Sequence, residues 1–432
     1  FEKLHLKSHC SPIGLFILKI TIFAKTNSLN SKYDIIIIGG GAAGFFTAIN
    51  SVEKNSNLKV AILERGKSVL EKVRISGGGR CNVTHACFVP NDLVKFYPRG
   101  ERELKGPFNQ FCSGDTIEWF EKHGVELKIE DDGRMFPVSN SSQTIIDCFQ
   151  EAVKKLKIDV LTNHSVQELY KTETHWKVTT TQEVFTCEKI VMASGSNPKI
   201  WELLQNLGHS IIEPVPSLFT FNIKDPRIKD LMGLSAVASV KVKKSKLEAS
   251  GPLLITHWGM SGPGILRLSA WGARELAEKK YQFAIQVNWL NETTFEEVLD
   301  LLKDIKEENA KKLVSKYAHF ELPKRLWENL VKAAGISEEL KWADINKKQL
   351  NSLIEQLTNG EFHVNGKSTF KEEFVTAGGI DLKEVNFKTM ESKILPNVYF
   401  AGEILNIDAI TGGFNFQNAW TGGFIVAENI VK

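Results

Sequence analysis

Apolar runs mark buried strands near both ends of this sequence, whereas the middle alternates between apolar and polar positions. Residues 33–38 form an apolar run typical of a parallel strand buried on both faces. Residues 59–63, 189–193 and 397–401 follow the same pattern. Between about residues 215 and 287, short alternating runs such as 239–243 predict strands with one solvated face. The pattern predicts an α/β core at the chain ends and a β-rich segment between them.

A helical pattern occupies residues 291–357. Val298, Leu301, Leu302 and Ile305 repeat at i, i+3, i+4 and i+7, the apolar stripe of an amphipathic helix. Lysines alternate there with glutamates and aspartates. This alternation predicts a solvated helical face rather than a nucleic-acid surface.

Glycine pairs and triplets lie in the first quarter and the last eighth of the chain. Glycine is needed where the backbone turns with positive φ or approaches another group closely. We therefore expect the two ends of the chain to meet at one site, with the middle inserted between them. The glycine runs begin at Gly39, Gly77, Gly378, Gly412 and Gly422.

These patterns predict a discontinuous α/β domain with insertions. Residues 33–200 and 370–432 form the domain, residues 201–290 an inserted β-rich module, and residues 291–369 an inserted helical module. Residues 1–32 are interpreted as an extension outside the fold, because the apolar run Ile13–Ala24 is interrupted by Lys19 and is too short for a membrane span. A signal peptide or anchor is the alternative.

A dinucleotide-binding fingerprint follows the first strand. Gly39 allows a tight turn, Gly41 lets a pyrophosphate approach the backbone, and Gly44 permits close helix–strand packing. Ala42 and Ala43 open the helix, whose N-terminus favours phosphate. A lone fingerprint is also compatible with a plain glycine-rich turn. Here a second strand ends in Glu64, about twenty residues on, where a carboxylate accepts from ribose hydroxyls.

Features outside the fingerprint favour FAD over NAD. Residues 75–84 form a second glycine-rich loop, and the strand at 397–401 ends in Gly402 and Glu403. A carboxylate there suits the hydroxyls of a ribityl chain, although a surface residue after a strand is the alternative. Residues 411–416 then open a final helix, whose N-terminus could stabilise charge at the N1/O2 edge of a reduced flavin. The alternative for this loop is simple helix capping.

Composition narrows the class of protein. The chain has 432 residues, 42% of them hydrophobic and 24% charged, with a net charge of +3. These values predict two or three globular domains and disfavour nucleic acid or a membrane as partner. The six cysteines include no CxxC pair, so we expect free thiols in a reducing cytoplasm and no metal site.

Four blocks resemble one bacterial flavoprotein family. They are ISGGGRCNVTH (75–85), GRMFPVS (133–139), GPLLITHWGMSGPGIL (251–266) and the tail from residue 376 to 423. Together they are similar to the BaiN-like or aminoacetone-oxidase-like family, which includes YhiN-type NAD(P)/FAD-dependent oxidoreductases. The resemblance implies a Rossmann-type FAD-binding domain of the two-dinucleotide-binding-domain flavoprotein type, interrupted by a β-rich and a helical module.

The resemblance and the fingerprint together imply a set of FAD contacts. Two departures from the family pattern stand near them: Asn406 replaces a frequent aspartate, and Ser194 to Pro198 is a variant strand-end loop. Both changes predict altered hydrogen bonding near the flavin or substrate rather than loss of FAD. The expected contacts are Gly39, Gly41, Ala42, Ala43, Gly44, Glu64, Arg65, Gly79, Arg80, Cys81, Asn82, Val166, Ala193, Ser194, Gly195, Gly402, Glu403, Gly412, Gly413, Asn415 and Phe416.

Candidates for proton transfer are few. His257 lies in one of the family-like blocks and is a candidate general acid or substrate ligand, with a structural histidine as the equal alternative. Cys81 has no partner cysteine nearby, which favours a packing role over redox chemistry.

Three functions remain open at this point. The leading hypothesis is an oxidoreductase acting on a small molecule, through reduction of an activated C=C bond or oxidation of an amine. No second fingerprint is visible, so NADH or NADPH would bind only transiently. A flavin-dependent RNA-modifying enzyme is the alternative, supported by the basic run Lys241, Lys243, Lys244 and Lys246. A non-catalytic flavin-bound protein is the third.

Overall fold

A computed structural model of the chain describes residues 31–368 and 375–432. Most of the extension expected at residues 1–32, with Cys10 and the apolar run Ile13–Ala24, lies outside the described residues. Within the described ranges, no helix combines the length and apolar character that crossing a membrane requires.

The described chain contains runs of strands and helices in the following order. The strands are β1 (Ser31–Ile38), β2 (Val60–Leu63), β3 (Thr84–His85), β4 (Leu127–Ile129), β5 (Arg134–Pro137), β6 (Asp159–Leu161), β7 (Val166–Lys171), β8 (Trp176–Thr180), β9 (Val184–Met192), β10 (Ile211–Ser217), β11 (Thr220–Asn222), β12 (Ser235–Val242), β13 (Glu248–Ile255), β14 (Gly259–Ser261), β15 (Gln282–Asn288), β16 (Gly360–Asn365), β17 (Lys367–Ser368), β18 (Val375–Ile380), β19 (Val385–Asn386), β20 (Glu391–Ser392) and β21 (Val398–Phe400). The α-helices are α1 (Ala42–Lys54), α2 (Glu71–Gly79), α3 (Pro90–Leu93), α4 (Lys105–Phe108), α5 (Ser113–Lys122), α6 (Ser142–Lys155), α7 (Pro198–Asn206), α8 (Pro263–Trp271), α9 (Ala273–Glu278), α10 (Phe295–Glu308), α11 (Lys324–Ala333), α12 (Lys347–Thr358) and α13 (Phe414–Ile430).

The main sheet has the strand order β19-β20-β21-β9-β1-β2-β6, with β8 joining β7 to β9. β1 pairs in parallel with β2 and with β9, and β9 pairs in parallel with β21. Residues 35–38 of β1 are buried, and the strand lies between β9 and β2 in the interior of the sheet. All four strands that the apolar runs predict therefore lie side by side in a Rossmann-type sheet.

Helices α1 and α13 bring the two ends of the chain together. A Cβ atom at Gly423 would lie 2.9 Å from Thr47 Oγ1, so glycine lets the two helices approach closely. Beside this contact, the Phe46 ring lies 4.5 Å from Trp119 and 5.3 Å from Trp420, centroid to centroid. The expectation that the glycine-rich ends meet is confirmed by this packing.

The middle of the chain forms a second, antiparallel sheet with the order β16-β15-β12-β13-β14-β11-β17. The alternating run at residues 239–243 falls largely in β12 of this sheet. β10 and β18, which precede and follow the insert sheet in the sequence, pair with each other in a two-stranded antiparallel sheet. The sheet and the helices that follow it share one apolar core, which includes Val287, Val298 and Trp327.

Helices α10 to α12 interrupt the insert sheet between β15 and β16. On α10, the side chains of Val298, Leu302 and Ile305 face the apolar core of the insert, as the periodicity predicts. The Leu301 side chain is 45% exposed. Residues 360–368, assigned to the helical module from the sequence, are strands, because β16 pairs with β15 at the edge of the sheet. The helical part ends at Thr358.

The parallel strands of the main sheet end at one edge. Ile38 is paired with Leu63 and with Met192, and Met192 is paired with Phe400. The segments that leave these strands therefore begin side by side. This edge is where ligands bind in open parallel sheets.

Candidate functional site

Two of the fingerprint glycines pack closely against backbone, and a third faces open space. A Cβ atom at Gly39 would collide with the Ala193 carbonyl, and one at Gly44 would collide with the Gly39 carbonyl. A Cβ atom at Gly41 would meet nothing within 4 Å. Gly39 and Gly44 thus hold the turn, whereas Gly41 faces space in which a phosphate can approach the backbone.

Helix α1 begins at this turn without a side-chain cap. Ala42 and Ala43 form its first turn, and their N–H groups belong to the positive end of the helix. Ala43 also supports the neighbouring strand end, because a Cβ atom at Gly402 would lie 3.1 Å from Ala43 Cβ. The uncapped start of α1 leaves donors available for an anionic group.

Glu64 closes the fingerprint at the end of β2. Its Oε2 accepts from the Gly40 N–H at 2.9 Å and its Oε1 from the Gly66 N–H at 2.7 Å. The carboxylate therefore stands against the glycine turn, as ribose recognition requires. Arg65 beside it is exposed. The His164 N–H donates to the Glu64 carbonyl at 2.8 Å, which brings the segment leading to Val166 to the same edge.

Val166 itself is buried at the start of β7 and is paired with Thr180. Its backbone lies two residues beyond the His164 contact with Glu64. The role expected for it, holding an adenine through backbone groups, stays a prediction.

The end of α2 leaves helical geometry in a loop of three glycines with positive φ, Gly77 to Gly79. Cβ atoms at Gly78 and Gly79 would meet no atom of the described residues within 4 Å. Arg80 is fixed by Glu130, with Nη1 2.6 Å from Oε1, and its guanidinium lies 3.9 Å from the centre of the Phe136 ring. The loop therefore offers unobstructed backbone at Gly78 and Gly79 next to the Arg80 cation, which Glu130 holds in place.

Asn82 joins this loop to the start of α13. With its amide oriented to satisfy both neighbours, Asn82 accepts from the Gly413 N–H at 3.0 Å and donates to the Thr84 carbonyl at 3.0 Å. Cys81 beside it is fully buried, and burial raises the pKa of its thiol to about 12. A thiol held protonated in this way favours the packing role over redox chemistry.

The ends of β9 and β21 form the centre of the edge. After Ala193, the buried Ser194 Oγ has no hydrogen-bond partner among the described residues, and Gly195 adopts a φ of +59°. Glu403, which follows Gly402, accepts from Lys72 Nζ at 2.5 Å and from the Thr376 N–H at 3.1 Å. Thr376 Oγ1 is also buried without a partner in the described part of the chain.

Helix α13 begins against the segment from Asn82 to His85. Gly412 and Gly413 have φ angles of +133° and +89°, and the helix has no side-chain cap. Asn415 fixes the preceding turn by accepting from the Ala409 N–H at 3.0 Å and donating to its carbonyl at 3.1 Å. Phe416 stacks on Trp420 at 5.5 Å, so its ring supports the helix.

The catalytic candidate His257 lies elsewhere on the insert. It is exposed in the turn between β13 and β14, which is closed by the Thr256 N–H donating to the Gly259 carbonyl at 2.8 Å. Together with Lys224 and Asp225 it lines a surface depression. Within the described ranges it makes no hydrogen bond to the residues of the strand-end edge, and its role as general acid stays a prediction.

The structure adds residues that motif analysis missed. His85 stacks on Phe414 at 4.6 Å, its Nε2 lies 3.2 Å from the Asp132 carbonyl, and burial lowers its pKa. Its Nδ1 is buried without a partner among the described residues. His85 and Thr376 stood in the family-like blocks at residues 75–85 and 376–423, whereas no sequence signal pointed to Lys72.

These residues suit FAD. The open glycine backbones at residues 41, 78 and 79 leave room for phosphates, and two uncapped helices direct their positive ends toward the edge. Buried hydroxyls without partners at Ser194 and Thr376, in the described residues, offer donors for a polar ligand. Fold and site together define an FAD-binding flavoprotein of the Rossmann type.

Comparison with known proteins supports the same class. The family described as "HI0933-like protein Rossmann domain" matches residues 33–429, and the chain belongs to this family. It is an FAD-dependent oxidoreductase, and the resemblance noted in the sequence is confirmed.

Two relatives and one solved structure illustrate the likeness. A ribosomal RNA dihydrouridine synthase of Escherichia coli is 28% identical, with 93% of this chain and 98% of the relative covered. A 3-dehydro-bile acid delta(4,6)-reductase of Clostridium scindens is 24% identical, over 91% and 97% of the two chains. A 3-ketosteroid-delta4-(5alpha)-dehydrogenase of Rhodococcus jostii has the same fold, with a TM-score of 0.50, 12% identity, and coverage of 94% and 98%.

Proposed function

We propose that this enzyme reduces a carbon–carbon double bond conjugated to a carbonyl group in a small molecule, with NADH or NADPH as reductant. The two relatives described above carry names that share this chemistry. A delta(4,6)-reductase acting on a 3-dehydro substrate reduces double bonds conjugated to a ketone, and dihydrouridine is uridine whose ring C=C bond, conjugated to a carbonyl, is reduced. The family membership and these names support an activated double bond over an amine.

The observation that carries the proposal is the strand-end edge itself. Gly41 and the start of α1 would hold the pyrophosphate, and Glu64 the ribose hydroxyls. The loop at Arg80 to Asn82 and the start of α13 would hold the flavin ring. FAD, when bound, supplies two-electron transfer between the reductant and the double bond.

The chain must supply orientation and one proton. In the net reaction a hydride equivalent and a proton add across the double bond, and NAD(P)H becomes NAD(P)⁺. The positive end of α13, extended by Gly412 and Gly413, favours negative charge nearby. His257 is the proposed proton donor, because its exposed side chain stands in a family-like block of the insert and an imidazole can act as a general acid.

The test begins with the visible spectrum of the purified protein. Under anaerobic conditions NADH and then NADPH are added, followed by a cyclic conjugated ketone, with product identified by mass spectrometry. Bleaching of the flavin by a nicotinamide nucleotide, return of its colour with the ketone, and a product heavier by two hydrogens support the proposal. A protein that is colourless and cannot be reconstituted with FAD, or a flavin that no ketone reoxidises, contradicts it.

His257→Ala and His175→Ala provide a matched comparison within this assay. His175 lies on the β7–β8 hairpin and has no proposed role. Loss of turnover with unchanged flavin bleaching in His257→Ala alone supports a proton donor. Equal activity of the two variants removes His257 from the proposal and leaves the reaction class intact.

Uridine in RNA is the second candidate substrate. The observation favouring it is the near-complete alignment with a relative named as a ribosomal RNA dihydrouridine synthase. The same assay with a uridine-containing RNA distinguishes the two candidates. Dihydrouridine in the RNA digest, together with no turnover of conjugated ketones, replaces the small-molecule proposal with this one.

A further inference from the structure

The helical part of the insert carries a hollow of about 460 Å³, here called the lysine hollow. It lies on the connection between α10 and α11 and reaches the first residue of α11. Its lining residues are Lys311, Lys312, Leu313, Lys316, Tyr317 and Lys324.

The connection that carries the hollow is held rigidly by its buried residues. The Val314 N–H donates to the Leu340 carbonyl at 3.0 Å, and the Val314 carbonyl accepts from Trp327 Nε1 at 2.8 Å. Ser315 Oγ donates to the Glu338 carbonyl at 3.0 Å. Residues 314 and 315 are buried, and Lys312 and Lys316 on either side of them are exposed.

The lining is strongly cationic. Lys311 and Lys316 are exposed and make no ion pair within the described ranges, and Lys324 lies 3.9 Å from Glu328. Lys312 donates to the neutral Asn309 side chain at 2.8 Å. Helix α11 begins at Lys324 without a side-chain cap, which adds its positive end to the same field. Among the described residues, no carboxylate side chain lines the hollow, so it attracts anions.

An aromatic ring stands among these cations. Tyr317 is 55% exposed, and Lys312 Nζ lies 5.2 Å from the centre of its ring. An exposed ring beside several cations offers a stacking surface next to phosphate-binding groups. Surfaces that bind single-stranded nucleic acid combine these two elements.

We propose that the lysine hollow binds the phosphate backbone of single-stranded nucleic acid, with Tyr317 stacked against a base. Several lysines spread across one hollow match a row of phosphates better than one free phosphate, which occupies a single point. This binding surface goes beyond the proposed reduction and does not depend on which molecule is reduced. At this one place the proposal departs from the expectation of a merely solvated helical face.

The test measures the fluorescence anisotropy of labelled, unstructured RNA and DNA oligonucleotides of about 12 nucleotides, between about 50 and 200 mM salt. The variant Lys311→Gln/Lys316→Gln is expected to weaken binding about tenfold and to lower the slope of log Kd against log salt by about 1.4, since each phosphate contact on a single strand contributes about 0.7. Tyr317→Ala is expected to weaken binding about tenfold with an unchanged slope, because stacking carries no charge.

Lys154→Gln/Lys155→Gln is the matched control. It removes the same charge from two exposed lysines that make no ion pair in the described part of the chain, at the end of α6. Near-normal binding by this control supports binding at the lysine hollow. An equal loss of binding shows that the overall positive charge, and not the hollow, attracts the oligonucleotide, and it overturns the proposal. Preference for RNA or for DNA identifies the source of the strand.

Further outcomes separate this proposal from the proposed reaction. Competition by inorganic phosphate or NADPH at concentrations near the oligonucleotide Kd overturns the nucleic-acid assignment. Absence of oligonucleotide binding, with intact reduction of a conjugated ketone, overturns the lysine hollow alone. Thermal unfolding of each variant verifies that the exposed substitutions leave the fold unchanged.

Discussion

Arg99 and Asp408, separated by 309 positions in the chain, form a buried ion pair within the discontinuous α/β domain, at its contact with the insert. Their side chains are 13% and 0% exposed, and Arg99 Nε lies 2.5 Å from Asp408 Oδ1. Arg99 also donates to the Ala270 carbonyl at 2.7 Å, while Ser217 Oγ donates to Asp408 Oδ2 at 2.7 Å. One pair thus joins four chain segments just before the start of α13.

Breaking this pair is expected to be costly. Burial raises the pKa of the Asp408 carboxyl, and the Arg99 charge opposes that rise. Asp408→Ala would leave the Arg99 charge buried without its partner, which costs about 3–5 kcal/mol of unfolding free energy. Denaturant unfolding of the single variants and of Arg99→Met/Asp408→Leu completes a double-mutant cycle. If the double variant is as unstable as the sum of the two single variants, the residues are not coupled.

Alanine at Gly44 is expected to reduce stability, whereas alanine at Gly41 is expected to reduce FAD affinity. Gly44→Ala places a Cβ against the Gly39 carbonyl and should reduce stability by about 1–3 kcal/mol. Gly41→Ala meets no protein atom within 4 Å, so stability of the FAD-free protein should be unchanged. FAD binding should weaken at least about tenfold, because the methyl group occupies space proposed for a phosphate. Unfolding and FAD fluorescence titrations measure the two effects, and normal FAD affinity in Gly41→Ala contradicts the assignment.

Cys81 is expected to resist alkylation in the folded protein. Its pKa of about 12 keeps the thiolate scarce at neutral pH, and the side chain is fully buried. Iodoacetamide labelling followed by peptide mass spectrometry should modify Cys112, which is partly exposed, well before Cys81. Equal labelling of Cys81 and Cys112 in the native state would contradict the burial of Cys81. A rise of Cys81 labelling on denaturation is expected and agrees with that burial.

Glu53 is expected to contribute stability that acid removes. Its Oε1 lies 3.0 Å from His123 Nε2, and this hydrogen bond lowers the Glu53 pKa. Because the folded pKa lies below the unfolded value of about 4.3, the contribution is complete above that pH and declines as the pH falls through the folded pKa. Urea unfolding from pH 7 to pH 3.5 should show a smaller loss for Glu53→Gln than for the wild type. An identical pH dependence refutes the role of this pair.

Local patterns were sufficient for the main sheet and its fingerprint. The residues of β1, the turn at Gly39 and the strand end at Glu64 lie within about thirty positions, where apolar periodicity and glycine spacing carry the information. The start of α13 at Phe414 and the amphipathic α10 were predictable for the same reason.

Long-range pairings were not predictable from one sequence. Nothing near Lys72 indicates that it meets Glu403, and nothing near Arg99 indicates Asp408. Such pairs depend on how the two distant segments of the α/β domain fold against each other, which local propensity does not encode. The strand at residues 360–365 was missed because its register partner, β15, lies on the far side of three helices.

The attachment of those helices has a consequence for how the family can vary. Val287 is paired with Gly360, and the Trp289 N–H donates to the Leu357 carbonyl at 2.8 Å, so the segment between them leaves and re-enters the sheet at neighbouring positions. In topological terms it is one very long hairpin loop. Lengthening such a loop adds little closure entropy, since the cost grows only with the logarithm of its length. Evolution can therefore remodel helices α10 to α12, and the surface that they carry, without moving the residues of the strand-end edge.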